Sequence, residues 1–197
     1  VEDVIAKIGE NTYIKSEILI ILLNSFAQLE NVEMIEYLID THYLKLPESF
    51  VKQKIIDDVR AKVKLAIGKT APDFSWEENG KKVSLSKLAK AEKYVLVFWS
   101  TSCSHCLTEV PQLYEYTKER EDVKVIAFAL ENDELGFNHY TKDFVKWTNV
   151  LGLGKWQNKT ARAYEINSTP TYFVLDAAKK IIAKPDYFTD VKDFLEN

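Results

Sequence analysis

The sequence predicts an α/β domain over residues 67–197, preceded by a small all-helical module over residues 1–66. Residues 1–66 contain one glycine and one proline, and their apolar residues recur at helical spacing. In residues 67–197, short apolar runs alternate with helical segments, which is typical of α/β folds. Gly68 and Pro72 interrupt the helical pattern and therefore predict the joint between the two parts.

The helical module is predicted to contain three or four helices. The first runs from about Tyr13 to Leu29, the second follows Asn31 as its N-cap and ends near Tyr43, and the third begins near Glu48. The apolar stripe of the first helix is predicted to comprise Ile14, Ile18, Ile21, Leu22 and Phe26.

The α/β domain is predicted to begin with a hairpin whose turn is Asn79-Gly80. The predicted strands are residues 73–76, 82–84, 94–99, 123–130, 171–175 and 180–183. The predicted helices are residues 86–89, 104–119, 140–147, 159–165 and 189–195. The segment between residues 147 and 159, rich in Gly, Lys and Asn, is predicted to be a loop.

The two cysteines of the chain, Cys103 and Cys106, form a C-x-x-C directly after the predicted strand 94–99. This spacing puts both sulfurs on one helical turn, close enough for a readily reducible disulfide. The helix dipole favours the thiolate of the first cysteine, and the thiolate is the species that attacks other disulfides. The alternatives are half of a zinc site or an inert disulfide. Because zinc usually takes four ligands and no second C-x-x-C or C-x-x-H occurs, we expect no metal and no cofactor besides the cysteine pair.

Charge and hydropathy limit the remaining classes of function. The net charge is −4 and no stripe of Lys and Arg occurs, so nucleic-acid binding is not expected. The longest apolar run, from Ile18 to Leu23, is far shorter than the about 20 residues that cross a bilayer. The chain begins at Val1 and its single methionine is Met34, so we expect a precursor from which a leader or a further domain was removed.

Several motifs occur together in the order of one known family. They are an opening segment at residues 67–74, a hairpin and short helix at 80–88, the C-x-x-C turn at 98–106, a Glu-x-Pro segment at 109–111, and a Ser-Thr-Pro-Thr loop at 168–171 followed by a strand. In these motifs, residues 67–197 resemble the thioredoxin superfamily, and more closely its TlpA/ResA-like, AhpC/TSA-type extracytoplasmic branch. The resemblance implies a thioredoxin-like fold, a central mixed sheet flanked by helices. Residues 1–66 resemble only loosely the helical extension of some bacteroidete-type members.

The resemblance implies a thiol–disulfide oxidoreductase that acts on cysteines of protein substrates. Cys103 would be the nucleophile, and Cys106, one turn further along the helix, would resolve the mixed disulfide. Ser104 and His105 would tune the pair, the imidazole by a hydrogen bond or partial positive charge to the Cys103 thiolate. The alternative for His105 is an exposed side chain without contacts. Family members often have Pro in place of Ser104 or His105, so their redox potentials cannot be transferred to this chain.

Two further segments receive roles from the resemblance. Glu109 lies three residues after Cys106, on the same helical face, and would shuttle the proton of that thiol. Its alternative is an ordinary surface glutamate. Pro170 would follow a cis peptide bond in a loop that faces the cysteines and leaves the backbone of Thr169 free to pair with an extended substrate. Its alternative is an ordinary turn proline.

The resemblance also implies a cellular setting. The location would be periplasmic or membrane-anchored on the extracytoplasmic side, with a membrane or periplasmic electron donor as partner. TlpA/ResA-like members usually reduce substrate disulfides, whereas a histidine between the cysteines favours oxidation or isomerisation, so both directions stay open.

Two other functions compete with this interpretation. An AhpC/TSA-type thiol peroxidase needs a threonine three residues before its reactive cysteine and a proline further upstream, but Ser100 occupies that position and no proline lies near it. A docking protein that dimerises through residues 1–66 would use the α/β domain as a scaffold. The intact C-x-x-C argues against an inert scaffold, although the helical module could still form a homodimer.

Overall fold

The computed structural model describes residues 1–7, 11–78, 80–88 and 91–197. These residues form two compact units, Val1–Ala66 and Ile67–Asn197. Each unit has a hydrophobic core of its own.

The described residues of the N-terminal unit form helices joined by short turns. Its α-helices are α1 (Glu2–Lys7), α2 (Thr12–Gln28), α3 (Val32–Thr41) and α4 (Gln53–Lys62), with 3-10 turns at Tyr43–Lys45 and Glu48–Phe50. The side chain of Asn31 accepts the N–H of Met34, which confirms the predicted cap of the second long helix.

The third predicted helix begins later than expected. Glu48–Phe50 is a 3-10 turn, and α4 starts at Gln53 after an extended backbone at Val51 and Lys52. The fully buried Tyr43 explains the interruption, because its hydroxyl donates to the carbonyl of Phe50 and accepts the N–H of Lys52. The buried side chain of Tyr43, which precedes the predicted helix, therefore holds Phe50 and Lys52 out of α4.

The buried face of α2 also differs from the prediction. Ile14 and Ile21 are 46% and 62% exposed, while Leu19, Leu23 and Ala27 are buried. Because α2 is apolar around much of its circumference, its periodicity does not define one face. The face is selected by packing in a core shared with α1, α3 and α4, which includes Ile5, Ile35, Leu38, Ile39, Ile56 and Val59.

The C-terminal unit combines strands and helices. Its strands are β1 (Ser75–Glu78), β2 (Lys81–Ser84), β3 (Lys93–Trp99), β4 (Val123–Glu131), β5 (Thr148–Leu153), β6 (Thr171–Asp176) and β7 (Ile181–Ala183). Its α-helices are α5 (Ser104–Thr117), α6 (Leu135–Tyr140), α7 (Lys159–Ala163) and α8 (Phe188–Glu196). Short 3-10 turns occur at Leu85–Lys87, Thr141–Asp143 and Lys155–Gln157.

The main sheet has the strand order β5-β4-β3-β6-β7. β3, β4 and β5 run parallel, while β6 and β7 pair antiparallel. β1 and β2 form a separate hairpin. The predicted turn residue Asn79 and the predicted helix residue Ala89 lie outside the described residues. The mixed sheet with its helices confirms the predicted α/β class.

The region between β4 and β6 differs from the prediction in two ways. A helix is predicted at residues 140–147, but the observed helix α6 lies earlier, at Leu135–Tyr140. The segment predicted to be a loop contains the edge strand β5. Gly152 lies within β5, where an added Cβ would overlap the ring of Phe128 at Cε1. The glycine is therefore needed for close packing within a strand, although in the sequence it is typical of a loop.

The core of the sheet fixes the position of the C-x-x-C segment. Residues 94–99 of β3 are buried on both faces. Val97 and Trp99 pack in the same cluster as Cys106 and Val110 of α5. A rigid strand therefore ends directly before the turn at residues 100–103, and a packed helix begins directly after it.

Candidate active site

Cys103 is the N-cap of α5. Its sulfur accepts the N–H of Cys106 at 3.2 Å, and the thiol lies 3.2 Å from the carbonyl oxygen of Thr169, to which it can donate. Both cysteines are free thiols, with Cys103 half-buried and Cys106 fully buried. The outer thiol is therefore accessible from solvent and the inner one is not.

The two thiols differ in acidity. Burial opposes ionisation of Cys103, but hydrogen bonds with the side chains of Cys106 and Thr169 and from backbone N–H groups, including that of His105, outweigh it and lower its pKa. Burial, followed by the hydrogen bond with Cys103, raises the pKa of Cys106 to about 12. Cys103 is thus the thiol that ionises first.

Ser104 and His105 occupy the first turn of α5, and both are exposed. The backbone N–H of His105 acts on the sulfur of Cys103. Within the described part of the chain, its imidazole has no hydrogen bond or ring contact. In the structure, His105 therefore lowers the pKa of Cys103 through its backbone N–H. Tuning of the cysteine pair by the imidazole stays a prediction.

Glu109 is held by two hydrogen bonds. Its Oε2 accepts the hydroxyl of Tyr172 at 3.0 Å and the N–H of Phe188 at 2.9 Å. Burial raises the pKa of Tyr172 above its ordinary value, and the nearby charge of Glu109 adds to this effect, with smaller contributions from Cys106 and Cys103. The carboxylate is therefore fixed in place, unlike that of a freely rotating surface glutamate.

The Thr169–Pro170 peptide bond is cis, as the sequence predicts. Both residues are half-buried, and the carbonyl of Thr169 faces Cys103. The loop predicted to face the cysteines does so.

The turn before Cys103 is held by residues that the sequence interpretation missed. Glu131, at the end of β4, is 6% exposed, and its carboxylate accepts the N–H of Thr101. The hydroxyls of Ser100 and Ser102 lie 3.0 Å apart, and Nζ of Lys155 donates to Ser102 Oγ at 3.0 Å. Glu131 could have been found from the sequence, because it is an acidic residue at the end of an apolar strand. Tyr172 and Lys155 had no comparable signal.

A small cleft of about 170 Å³ opens beside Cys103. Its lining residues come from the ends of β3 and β4, the turn after β5 and the proline loop: Ser100, Ser102, Cys103, Leu130, Lys155, Trp156 and Thr169. Trp156 is 43% exposed and lines this cleft, whereas Trp147 is buried and its indole N–H donates to the hydroxyl of Thr117.

Two features are absent from the described residues. No cluster of three or more His, Cys, Asp or Glu side chains that could hold a metal ion occurs among them. Among the same residues, no helix is long and apolar enough to cross a membrane.

The Redoxin family model matches residues 66–187, which is more than half of the chain. The chain belongs to the Redoxin family. It is 32% identical over 127 residues to the thiol-disulfide oxidoreductase ResA of Bacillus cereus strain ZK / E33L, a match that covers 62% of this chain and 71% of the relative. The expected relationship to TlpA/ResA-like members of the thioredoxin superfamily is thereby confirmed.

Solved structures agree with this assignment. The C-terminal domain of a Bacteroides thetaiotaomicron protein described as a thiol-disulfide oxidoreductase matches with a TM-score of 0.59 and 27% identity, over 68% of this chain and 96% of that one. A thioredoxin-like protein from Bacteroides caccae matches with a TM-score of 0.58 and 18% identity, over 92% of this chain and 76% of that one, which shows the fold alone. This Redoxin family member is therefore a thioredoxin-like oxidoreductase.

Proposed function

We propose that this protein exchanges disulfides with protein substrates outside the cytoplasm through the dithiol of Cys103-Ser104-His105-Cys106. The observation that carries the proposal is the asymmetry of the two thiols. Cys103 is accessible, caps a helix and has a lowered pKa, while Cys106 is buried with a raised pKa. This arrangement suits a nucleophile and a resolving thiol.

The reaction needs only the two cysteines and the substrate disulfide. The Cys103 thiolate attacks one substrate sulfur, which breaks the substrate S–S bond, forms a mixed disulfide and releases the other sulfur as a thiolate that takes up a proton. Cys106 then loses its proton and attacks the sulfur of Cys103, which releases the second substrate thiol. The substrate disulfide gains two electrons and the protein dithiol loses two.

Glu109 is proposed to assist the second step. Cys106 must lose a proton although its pKa is about 12. The carboxylate of Glu109, on the next turn of α5 and fixed by Tyr172 and Phe188, is available to take that proton directly or through a water molecule.

Substrate pairing and the electron partner are proposed from the family. The backbone of Thr169 beside Cys103 would pair with an extended substrate segment, with Pro170 shaping the loop. A membrane or periplasmic donor would reduce the Cys103–Cys106 disulfide again. Membership in the TlpA/ResA-like branch supports this setting and a periplasmic or membrane-anchored location.

The reduction potential of the cysteine pair tests the proposal. The protein is equilibrated with glutathione buffers and its free thiols are counted by mass tagging, with Cys106→Ser as a control that cannot close the disulfide. A potential of about −270 mV or below would indicate a reductant, and one of about −120 to −180 mV would indicate an oxidant or isomerase and implicate His105. If no disulfide forms between Cys103 and Cys106, the proposal is wrong.

A further inference from the structure

Among the residues that the structure describes, no acidic side chain pairs with Lys155, a lysine beside the nucleophilic cysteine. Nζ of Lys155 donates to the hydroxyl of Ser102, the residue directly before Cys103, and both line the same small cleft. Lys155 follows Gly154 in a tight turn, and both have left-handed backbone conformations, with φ of 45° and 87°. Non-glycine residues rarely adopt this conformation, so the turn holds Lys155 at this place under some strain.

The charge of Lys155 is not neutralised within the described part of the chain. No carboxylate there forms an ion pair with it. The buried acidic residue at the neighbouring strand end, Glu131, is engaged by the N–H of Thr101. An ammonium group has three donors, and the neutral Ser102 hydroxyl takes one of them. Lys155 can therefore still bind an anionic group that enters the cleft.

The rest of the cleft fits a peptide segment. Leu130 and the exposed indole of Trp156 supply apolar lining, and Thr169, whose carbonyl lies 3.2 Å from the Cys103 sulfur, lines the cleft as well. Consecutive residues of a chain are about 3.8 Å apart at Cα. An acidic side chain next to a substrate cysteine can therefore reach the ammonium group that is bound to Ser102, the residue before the nucleophile.

We propose that Lys155 makes this cleft selective for protein disulfides whose reacting cysteine is flanked by an acidic residue. The inference rests on the proposed thiol–disulfide exchange and specifies its substrate class. Lys155 is a specificity residue: its ammonium pairs with the substrate carboxylate while the Cys103 thiolate attacks the adjacent sulfur, and the electrons move as described above. An ion pair in an exposed cleft is weakened by salt, so the selectivity falls as ionic strength rises.

The test uses the reduced chain of 197 residues and the disulfide dimers of three capped peptides. The peptides have the form Xaa-Cys-Xaa, in which Xaa is Glu, Gln or Lys, and single-turnover rates are measured at neutral pH and low ionic strength. The wild type is expected to reduce the Glu peptide about tenfold faster than the Lys peptide, as expected for one charge pair at close range.

Three variants separate recognition from general reactivity. Lys155→Gln should remove the Glu-over-Lys ratio, because it removes the charge that pairs with the substrate carboxylate. Lys155→Arg should keep the ratio. Lys159→Gln, which removes a nearby charge outside the cleft, is the matched control and should also keep it.

The outcomes distinguish the two proposals. If the wild type reduces the Gln peptide but the Glu-over-Lys ratio is the same in Lys155→Gln, the selectivity proposal is wrong and the oxidoreductase proposal stands. If Lys155→Gln slows all three peptides equally, the lysine acts on the reactivity of Cys103, which also overturns the selectivity proposal. If the wild type reduces none of the three peptides, the proposed disulfide exchange itself is wrong.

Discussion

At the scale of single residues, the chemistry depends on two sulfurs with different environments. The Cys103 sulfur accepts an N–H from the first turn of α5, and the thiol of Cys106 is enclosed by the core. The helix terminus stabilises a negative charge at the outer sulfur, and burial disfavours it at the inner one.

This difference predicts the pH dependence of alkylation. In the reduced protein, the rate of Cys103 modification by iodoacetamide should rise with pH through a midpoint below 9.0, because only the thiolate reacts. Cys106→Ala removes one of the hydrogen bonds that favour the thiolate and should move the midpoint upward. A midpoint that stays unchanged in Cys106→Ala would show that the inner thiol does not stabilise the outer thiolate.

Glu109→Gln should slow the second step of exchange by about 10²-fold, the lower range for proton transfer by a positioned side chain. The measurement is the decay of the mixed disulfide between Cys103 and a labelled peptide, followed by mass spectrometry after acid quenching. Glu115→Gln is the matched control, since Glu115 lies on the same helix, is exposed and pairs with Lys118. Equal decay rates in Glu109→Gln and the wild type would remove Glu109 from the mechanism.

The hydrogen bond from the N–H of Thr101 to Glu131 predicts that substitutions of Glu131 lower the stability of the fold. Glu131→Ala leaves the partly buried N–H of Thr101 without its acceptor and should lower the free energy of unfolding by about 1–3 kcal/mol. Glu131→Gln keeps an acceptor oxygen and should lose less. Urea denaturation of the reduced proteins measures both, and equal stability of Glu131→Ala and the wild type would contradict the assignment.

At the scale of elements, the site is built where strands end. β3 ends before the Cys103 turn, β4 ends at Glu131, and β5 leads into the turn that carries Lys155. Parallel strands bring their carboxyl ends to one edge of the sheet, which is where α/β folds commonly bind ligands. The position of β5 therefore determines whether Lys155 reaches Ser102.

The packing of β5 on β4 can be tested at Gly152. Gly152→Ala should destabilise the protein by about 1–3 kcal/mol, because the new methyl group overlaps the ring of Phe128. Adding Phe128→Leu should recover part of this loss, and the double-mutant cycle is measured by chemical denaturation. Additive effects of the two substitutions would show that the ring is not the obstacle.

At the scale of the whole molecule, two units with separate cores lie in one chain. We propose that they are separate domains, with disulfide exchange in residues 67–197 and a docking or dimerising role in residues 1–66. All the groups described around Cys103 belong to the second unit.

Residues 67–197 expressed alone should therefore keep the reduction potential of the full chain, as measured by glutathione equilibration. Sedimentation of both proteins tests the helical module: if it forms the homodimer, the full chain sediments as a dimer and residues 67–197 as a monomer. A potential that differs between the two would show that the helical module influences the cysteines. Equal oligomeric states would remove the dimerisation role.

The sequence by itself determined the features that depend on neighbours along the chain. The C-x-x-C between a strand and a helix, the Asn31 cap and the alternation of strands and helices are local patterns, so spacing and residue type suffice to predict them. The cis bond before Pro170 and the fold followed from a set of motifs shared with a family.

Only the tertiary structure decided which distant residues meet. The buried face of α2, the strand around Gly152, and the placement of Glu131 and Lys155 beside the cysteine turn depend on contacts between segments far apart in sequence. An apolar helix has several faces that can be buried, and a glycine is compatible with a loop or a close contact. Packing selects among these options, because a closely packed core tolerates few voids or overlaps between side chains.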